Sequence, residues 1–226
     1  MELHVATGYR HDARNRLAGV NDWVQRPVPR FWLGRTIEGV AWRFRSDLPD
    51  QLCAALERYC RDEPRCSAHP AAPPMFAREY DELLGEHAPV ERHWSGPTCW
   101  FPTVPASEPS AVAITASNAN LLAGALEPWR SDIPHQQPMY AALVDGLAAA
   151  ICASVRITGV AHAAGVETAP EHRQRGLATA AVVAWARSVT SAGRVAFYST
   201  WWENVASQRL AARTGAVAFG EEYHIT

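Results

Sequence analysis

The clearest hydrophobic pattern lies in the second half of the chain. Apolar positions run almost unbroken through 139–144 and 147–156, separated by Asp145-Gly146. Asp-Gly between two such runs predicts a tight β-hairpin. A turn at Thr158-Gly159 leads to a third strand ending near Thr168. From Gly176 the period changes: Leu177, Ala181, Trp185 and Val189 predict a helix that buries one face, with Gly193 ending the element. Residues 195–200 read as a strand, 204–214 as a helix and 216–225 as a last strand. Upstream, 111–115 reads as a short strand, and Ser117 or Asn118 caps a helix carrying Leu121, Leu122, Leu126 and Trp129. The resulting order is β-α-β-β-β-α-β-α-β.

The first half is less regular. Residues 1–30 show little periodicity, 39–45 reads as a strand, and Ser46-Asp47 caps a helix over 49–61. Residues 62–74, rich in Pro, Ala, Cys and Ser, read as a loop; 76–85 reads as a helix. Aromatic runs over 91–102 surround an expected turn at Ser95-Gly96-Pro97. The strand-then-cap logic at 40–48 echoes that at 112–120, with a Leu-containing helix after each. Two explanations stand side by side: a degenerate half-repeat, or an α/β extension without repeat ancestry. The proline-rich 102–109 segment is the expected boundary, giving parts 1–109 and 110–226.

Composition narrows the class. A hydrophobic fraction of 48% and nine tryptophans suffice for a sizeable core and argue against overall disorder. Residues 1–110 hold thirteen arginines against fifteen acids, and 111–226 hold eight of each, so neither half is basic. No nucleic-acid surface is expected. All 21 basic residues are arginine, a trait of a GC-rich, bacterial source that also removes lysine nucleophiles. The five cysteines (Cys53, Cys60, Cys66, Cys99, Cys152) lack C-x-x-C spacing. Neither a metal site nor a disulfide framework is expected, and reduced thiols fit a cytoplasmic protein. No signal peptide is evident at the N-terminus and no apolar stretch is long enough to span a membrane.

Chemistry concentrates at 166–179, where an extended Val166-Glu-Thr168-Ala-Pro170 run meets Arg173-Gln174-Arg175-Gly176-Leu177-Ala178-Thr179. A strand turning into a helix aims free N–H groups and the positive end of the helix dipole at one point, which suits a pyrophosphate. Gly176 and Ala178 let an anion approach the main chain, and Arg173 and Arg175 add charge. A second block, Asn204-x-x-Ser207-x-x-Leu210-x-x-x-x-Gly215, follows the strand at 195–200. Together the two blocks resemble the acyl-CoA-binding motifs of the GNAT N-acetyltransferase superfamily, over roughly residues 150–220.

The resemblance implies an α/β (α+β) GNAT fold, its mixed central sheet splayed between the two strands flanking the CoA-binding helix. It implies acetyl-CoA as co-substrate, with the pantetheine arm along Val166, Glu167 and Thr168. The turn from Gln174 to Thr179 would then meet the pyrophosphate, while Asn204 holds the arm from the other side and Ser207 lies close to the thioester. Asn204 is equally suited to be a helix cap. The reaction implied is direct acetyl transfer to the primary amine of a small or amino-acid-like acceptor. Acetylation of a protein or peptide, and a non-catalytic CoA-binding regulatory module, are the alternatives.

Two catalytic tasks follow: the ammonium must lose a proton, and the thiolate must leave. His162, eleven positions before Arg173, stands where the superfamily carries a Glu or His base. Its other reading is a surface or hairpin histidine. Glu167 is the second candidate base; on a regular pleat it faces away from Val166 and Thr168, whereas a bulge would reverse that. The family tyrosine that often follows the motif leucine is Ala211 here, leaving Ser207 or Tyr198 as the substitute acid, or no direct protonation. Trp94, Trp100 and Phe101 either line an acceptor pocket for a cationic amine or belong to the core. A monomer or homodimer is expected.

Overall fold

The structure is a computed structural model of the chain and describes residues 1–66, 72–104 and 110–226. The elements in order are α1 (Glu2–Gly8), β1 (Tyr9–His11), β2 (Leu17–Val20), β3 (Phe31–Thr36), β4 (Val40–Phe44), α2 (Asp50–Asp62), α3 (Ala77–His87) and β5 (His93–Trp100). There follow β6 (Val112–Ala113), β7 (Met139–Val144), β8 (Leu147–Ile157), β9 (Ala161–Thr168), α4 (Leu177–Ser191), β10 (Val195–Ser199), α5 (Val205–Arg213) and β11 (Val217–Ile225).

Contacts divide the chain into two units. The first comprises Met1–Thr98 with Ser199–Val205 and Ala218–Thr226, and the second Cys99–Tyr198 with Ala206–Val217. The last strand is therefore counted with the first unit, because β11 pairs antiparallel with β3 from Gly220↔Thr36 to Ile225↔Phe31. Part of the proline-rich segment expected as a boundary, 105–109, lies outside the described residues.

In the first unit the strand order is β4-β3-β11-β5. All six β3 residues are buried, so the strand lacks the apolar/polar alternation that would have revealed it in the sequence. Phe31 and Leu33 pack with Phe44, Leu56, Tyr80, Leu84 and Ile225, whereas Trp32 joins a separate cluster with Val5, Leu17 and Val20. Arg35 is buried with two carboxylates, Glu63 at 3.0 Å and Glu221 at 2.6 Å. Cys53 and Cys60 are buried on one side of α2, as their spacing predicts. The turn expected at Ser95-Gly96-Pro97 is instead the middle of β5. Gly96 meets the main chain of Thr200 so closely that a Cβ would overlap its carbonyl oxygen. The glycine serves close backbone approach there, not a turn.

In the second unit the order is β10-β9-β8-β7-β6, antiparallel except for the parallel β10–β9 pair. Asp145 (φ 51°) and Gly146 (φ 79°) both take positive φ and form the expected hairpin turn between β7 and β8. The helix expected from Ser117 or Asn118 is instead two 3₁₀ segments, Ala116–Leu121 and Gly124–Asp132. Asn118 leaves helical geometry and Pro128 cannot donate to the Gly124 carbonyl, so a continuous α-helix fails. On α4, Ala181, Val182, Trp185, Ala186 and Val189 are buried against Cys99, Phe101, Cys152, Ala196, Tyr198 and Ala211.

Candidate functional site

The site is built on β9. Its ladder with β10 covers only Ala161–Ala163 against Val195–Phe197, while its ladder with β8 extends to Thr168. Beyond Ala163 and Phe197 the two parallel strands no longer pair. A wedge therefore opens along the β10 side of Ala164 to Thr168, whose peptide groups lie beyond the ladder with β10. The pleat of β9 is regular, because the one-residue bulge falls on β8 at Val155, between the Ser154↔Ala164 and Arg156↔Ala163 pairs. Ala164 and Val166 consequently pack toward α4, and Gly165 and Glu167 face the opposite side.

At the wide end of the wedge, β9 passes through the 3₁₀ turn Pro170–His172 to the start of α4. Gln174 (φ 62°) and Gly176 (φ 78°) both adopt left-handed geometry. Gly176 is the N-cap of α4, makes no side-chain cap, and the first turn of α4 has no acidic residue. The leading N–H groups of a helix have no intrahelical acceptor, so those of Leu177 and Ala178 remain for an anion. Arg173, Gln174, Arg175 and Gly176 are exposed, whereas Leu177, Ala178 and Thr179 are half-buried. Arg175 lies 2.9 Å from Nδ1 of His172. Nothing lies within 4 Å of a Cβ built on Gly176, leaving the approach to the turn clear.

Glu167 is exposed, and its Oε2 accepts a 2.6 Å hydrogen bond from Nε1–H of Trp129. The Trp129 ring also lies over Gly165, where a Cβ would approach it to 3.3 Å. Trp129 was expected only as a helix-face residue; its hold on Glu167 depends on two segments thirty-eight residues apart and left no local signal.

His162 is only 2% exposed. Its Nδ1 is 2.8 Å from Ser154 Oγ, which accepts a 2.9 Å bond from Nε1–H of Trp185. The other ring nitrogen, Nε2, is buried with no hydrogen-bond partner among the described residues. Burial, and then the Arg194 charge, pushes the imidazole pKa down, so the ring is neutral. His162 thus lies inside the packing beneath α4, neither at the surface nor on the exposed face that carries Glu167.

Tyr198, the first β10 residue past the paired stretch, is 4% exposed, and its hydroxyl lies 2.7 Å from Ser207 Oγ on α5. Burial pushes its pKa up to about 12. Ala211 is buried in the same cluster as Tyr198 and Leu210, so the helix position after Leu210 is filled by packing. Asn204 immediately precedes α5, is exposed, and is counted by its contacts with the first unit. Of the three aromatics, Phe101 is core, packed edge-on to Trp185 at 6.2 Å. Trp94 stacks on His224 at 4.9 Å, and Trp100 is exposed. Among the described residues no His/Cys/Asp/Glu group is arranged to hold a metal, and no helix is long and apolar enough to cross a membrane.

Solved structures with the same architecture place this geometry in context. An acetyltransferase of the GNAT family from Colwellia psychrerythraea is 13% identical, with a TM-score of 0.50 over 95% of this chain and 82% of its own. A GCN5-related N-acetyltransferase-like protein from Streptococcus suis 89/1591 is 14% identical, with a TM-score of 0.50 over 88% and 85%. A GNAT-family structure from Novosphingobium aromaticivorans DSM 12444 is 20% identical over 60% of this chain, which spans 65% of its length, with a TM-score of 0.47. No protein-family model matches the sequence, and no curated protein matches it. The likeness is one of fold: the chain has the GNAT fold, a mixed α/β architecture.

Proposed function

We propose that the protein is an acetyl-CoA-dependent N-acetyltransferase that transfers an acetyl group directly to the primary amine of a small or amino-acid-like molecule. The observation that carries this reading is the unpaired edge of β9 leading straight into a left-handed, glycine-capped helix start. The edge suits an extended amide-bearing arm, which can pair with it as an added strand would. The turn suits the pyrophosphate at the end of that arm. Val166, Glu167 and Thr168 supply main-chain partners, Gln174 to Thr179 the N–H cradle, and Arg173 and Arg175 formal charge. Five free cysteines accord with a cytoplasmic enzyme.

Acetyl-CoA supplies the acetyl group as an activated thioester; the chain supplies position and proton transfer. Glu167, exposed and oriented by Trp129, takes the proton from the acceptor ammonium, directly or through one water. Buried His162 holds strand and helix together through Ser154 and Trp185. Once Glu167 has passed that proton to solvent, the freed amine attacks the thioester carbonyl, the C–N bond forms as the surplus N–H proton goes to Glu167, and the C–S bond breaks with its electron pair going to sulfur.

Incubating the purified protein with acetyl-CoA, a panel of small amines and peptides, and a thiol reagent tests this reading. Thiol release that requires a small amine is the expected result. Turnover on peptides alone would move the activity to protein acetylation, and acetyl-CoA binding without turnover on any amine would leave a regulatory module.

A further inference from the structure

The outer edge of the first unit's sheet carries a cavity that the proposed acetyl transfer leaves unused. β4 is the last strand on that side. Arg45 N–H donates to the Arg30 carbonyl and Thr36 N–H to that of Gly39, which sets the phase of the β3–β4 ladder: Ala41 and Arg43 bond to β3. The N–H and C=O groups of Val40, Trp42 and Phe44 therefore point away from β3. Along this edge lies a cavity of about 500 Å³, within the range of small-molecule sites. It is short, because the Thr36–Gly39 turn closes one end and the bond from Ser46 N–H to Leu17 of β2 closes the other. Every described residue that lines it belongs to the first unit.

Its inner wall is rich in donors. The Arg43 side chain is nine-tenths buried; Nη1–H donates to the outward Trp42 carbonyl at 2.7 Å, and Nη2–H is paired with Glu2. Nε–H, beside Nη2 on the same side of the planar guanidinium, is buried with no hydrogen-bond partner among the described residues. Glu2 is 70% exposed and engages only one of these two donors. Arg14 and Arg16 share one oxygen of Asp50, at 2.9 and 2.6 Å. Val40, Trp42 and Cys53 give the cavity an apolar side that packs with α2.

We propose that this cavity binds a small monocarboxylate with an apolar body, whose carboxylate displaces Glu2 and takes both Nε–H and Nη2–H of Arg43. Two parallel guanidinium donors match the two oxygens of a carboxylate. A buried donor without a partner is costly, and a ligand oxygen on Nε–H removes that cost. Outward rotation of Glu2, at the exposed start of α1, opens this side of the fork. Charge sets the class of ligand. Three arginines line the cavity against three carboxylates, Glu2, Asp50 and Glu57. With Glu2 turned into solvent, one positive charge is in excess, which matches a monoanion and not a phosphate dianion.

The test is an NMR titration of the isotope-labelled full chain with acetate, hexanoate, hexanol and inorganic phosphate. The readout is the Arg43 Nε–H resonance, assigned by its disappearance in Arg43→Lys. Hexanoate should bind saturably and move that resonance downfield, as a new charge-assisted hydrogen bond does. It should bind more tightly than acetate, because its methylenes are buried. Hexanol and phosphate should bind at least about tenfold more weakly than hexanoate, and Arg43→Gln should weaken hexanoate by a similar factor. Glu2→Gln changes an exposed residue, so folding should be intact; it weakens the competitor for Nη2–H and should tighten hexanoate severalfold. Absent hexanoate binding, binding that leaves the Nε–H resonance in place, phosphate or hexanol as tight as hexanoate, or a Glu2→Gln protein that binds no better than the parent would each overturn the site. None of these readouts involves acetyl-CoA, so they stand or fall apart from the transferase reading.

Discussion

The wedge of the second unit and the sheet of the first are encoded in opposite ways. The wedge is specified by residues close in sequence: a strand, a left-handed pair at Gln174 and Gly176, and a helix without acids in its first turn. The first unit is specified by partners far apart. β3 pairs with β11 across most of the chain, Arg35 is neutralised by Glu63 and Glu221, and Gly96 is needed for the main chain at Thr200. Anion capture needs local backbone geometry, whereas a two-sided core needs only that distant segments be apolar and paired. The two regions should therefore fail differently, one losing chemistry and the other losing stability.

The largest effect is expected in the wedge. Glu167→Gln keeps the shape of the Trp129 contact but removes the proposed base, and should lower kcat by about 10²–10⁴-fold while leaving the thermal midpoint in place. Loss of stability without loss of turnover would break the comparison. Next is Gly96→Val in the first unit, where the new side chain meets the Thr200 carbonyl. Overpacking of this kind costs about 1–3 kcal/mol, and more where backbone is the obstacle, and chemical denaturation would read it. A Gly96→Val protein as stable as the parent would refute the close-approach role.

Arg173→Ala should weaken acetyl-CoA binding about tenfold, as loss of one exposed charge-assisted contact does, and calorimetry at two salt concentrations would read it. The smallest effect is the pH dependence of stability from His162. Its folded pKa lies below its unfolded value near 6.5, so the folded state binds the proton less readily. Its contribution is complete above pH 6.5 and is lost as pH falls below that toward the folded value. His162→Gln should flatten that limb of a midpoint-against-pH curve. An identical slope in the variant would place the acid sensitivity elsewhere.

The same contrast explains what could be read from the sequence. The hairpin at Asp145-Gly146, the helix beginning at Leu177 and the β10–α5–β11 succession follow local rules and are present as read. The helix expected across 117–129 failed at Pro128 and Asn118, signals that were visible but outweighed by apolar spacing. α1, β1, β2 and β3 were invisible, since short or doubly buried strands carry no period. At the candidate site, the turn geometry at Gln174 and Gly176 was legible because it is set locally. Trp129 on Glu167, and Ser154 with Trp185 on His162, join different elements, and only the fold brings them together.

The most direct test of the central claim is calorimetric titration of acetyl-CoA into the parent protein and a Gly176→Asn variant. Asparagine tolerates the left-handed conformation, and a Cβ at this position meets nothing within 4 Å, so the variant should fold. Its side chain would nonetheless stand where the pyrophosphate approaches the helix start. The account predicts saturable one-to-one binding to the parent and binding at least about tenfold weaker in a variant with the parent's thermal midpoint, a loss typical of one charge-assisted hydrogen bond. Equal affinity in the folded variant, or no binding to the parent, would contradict it.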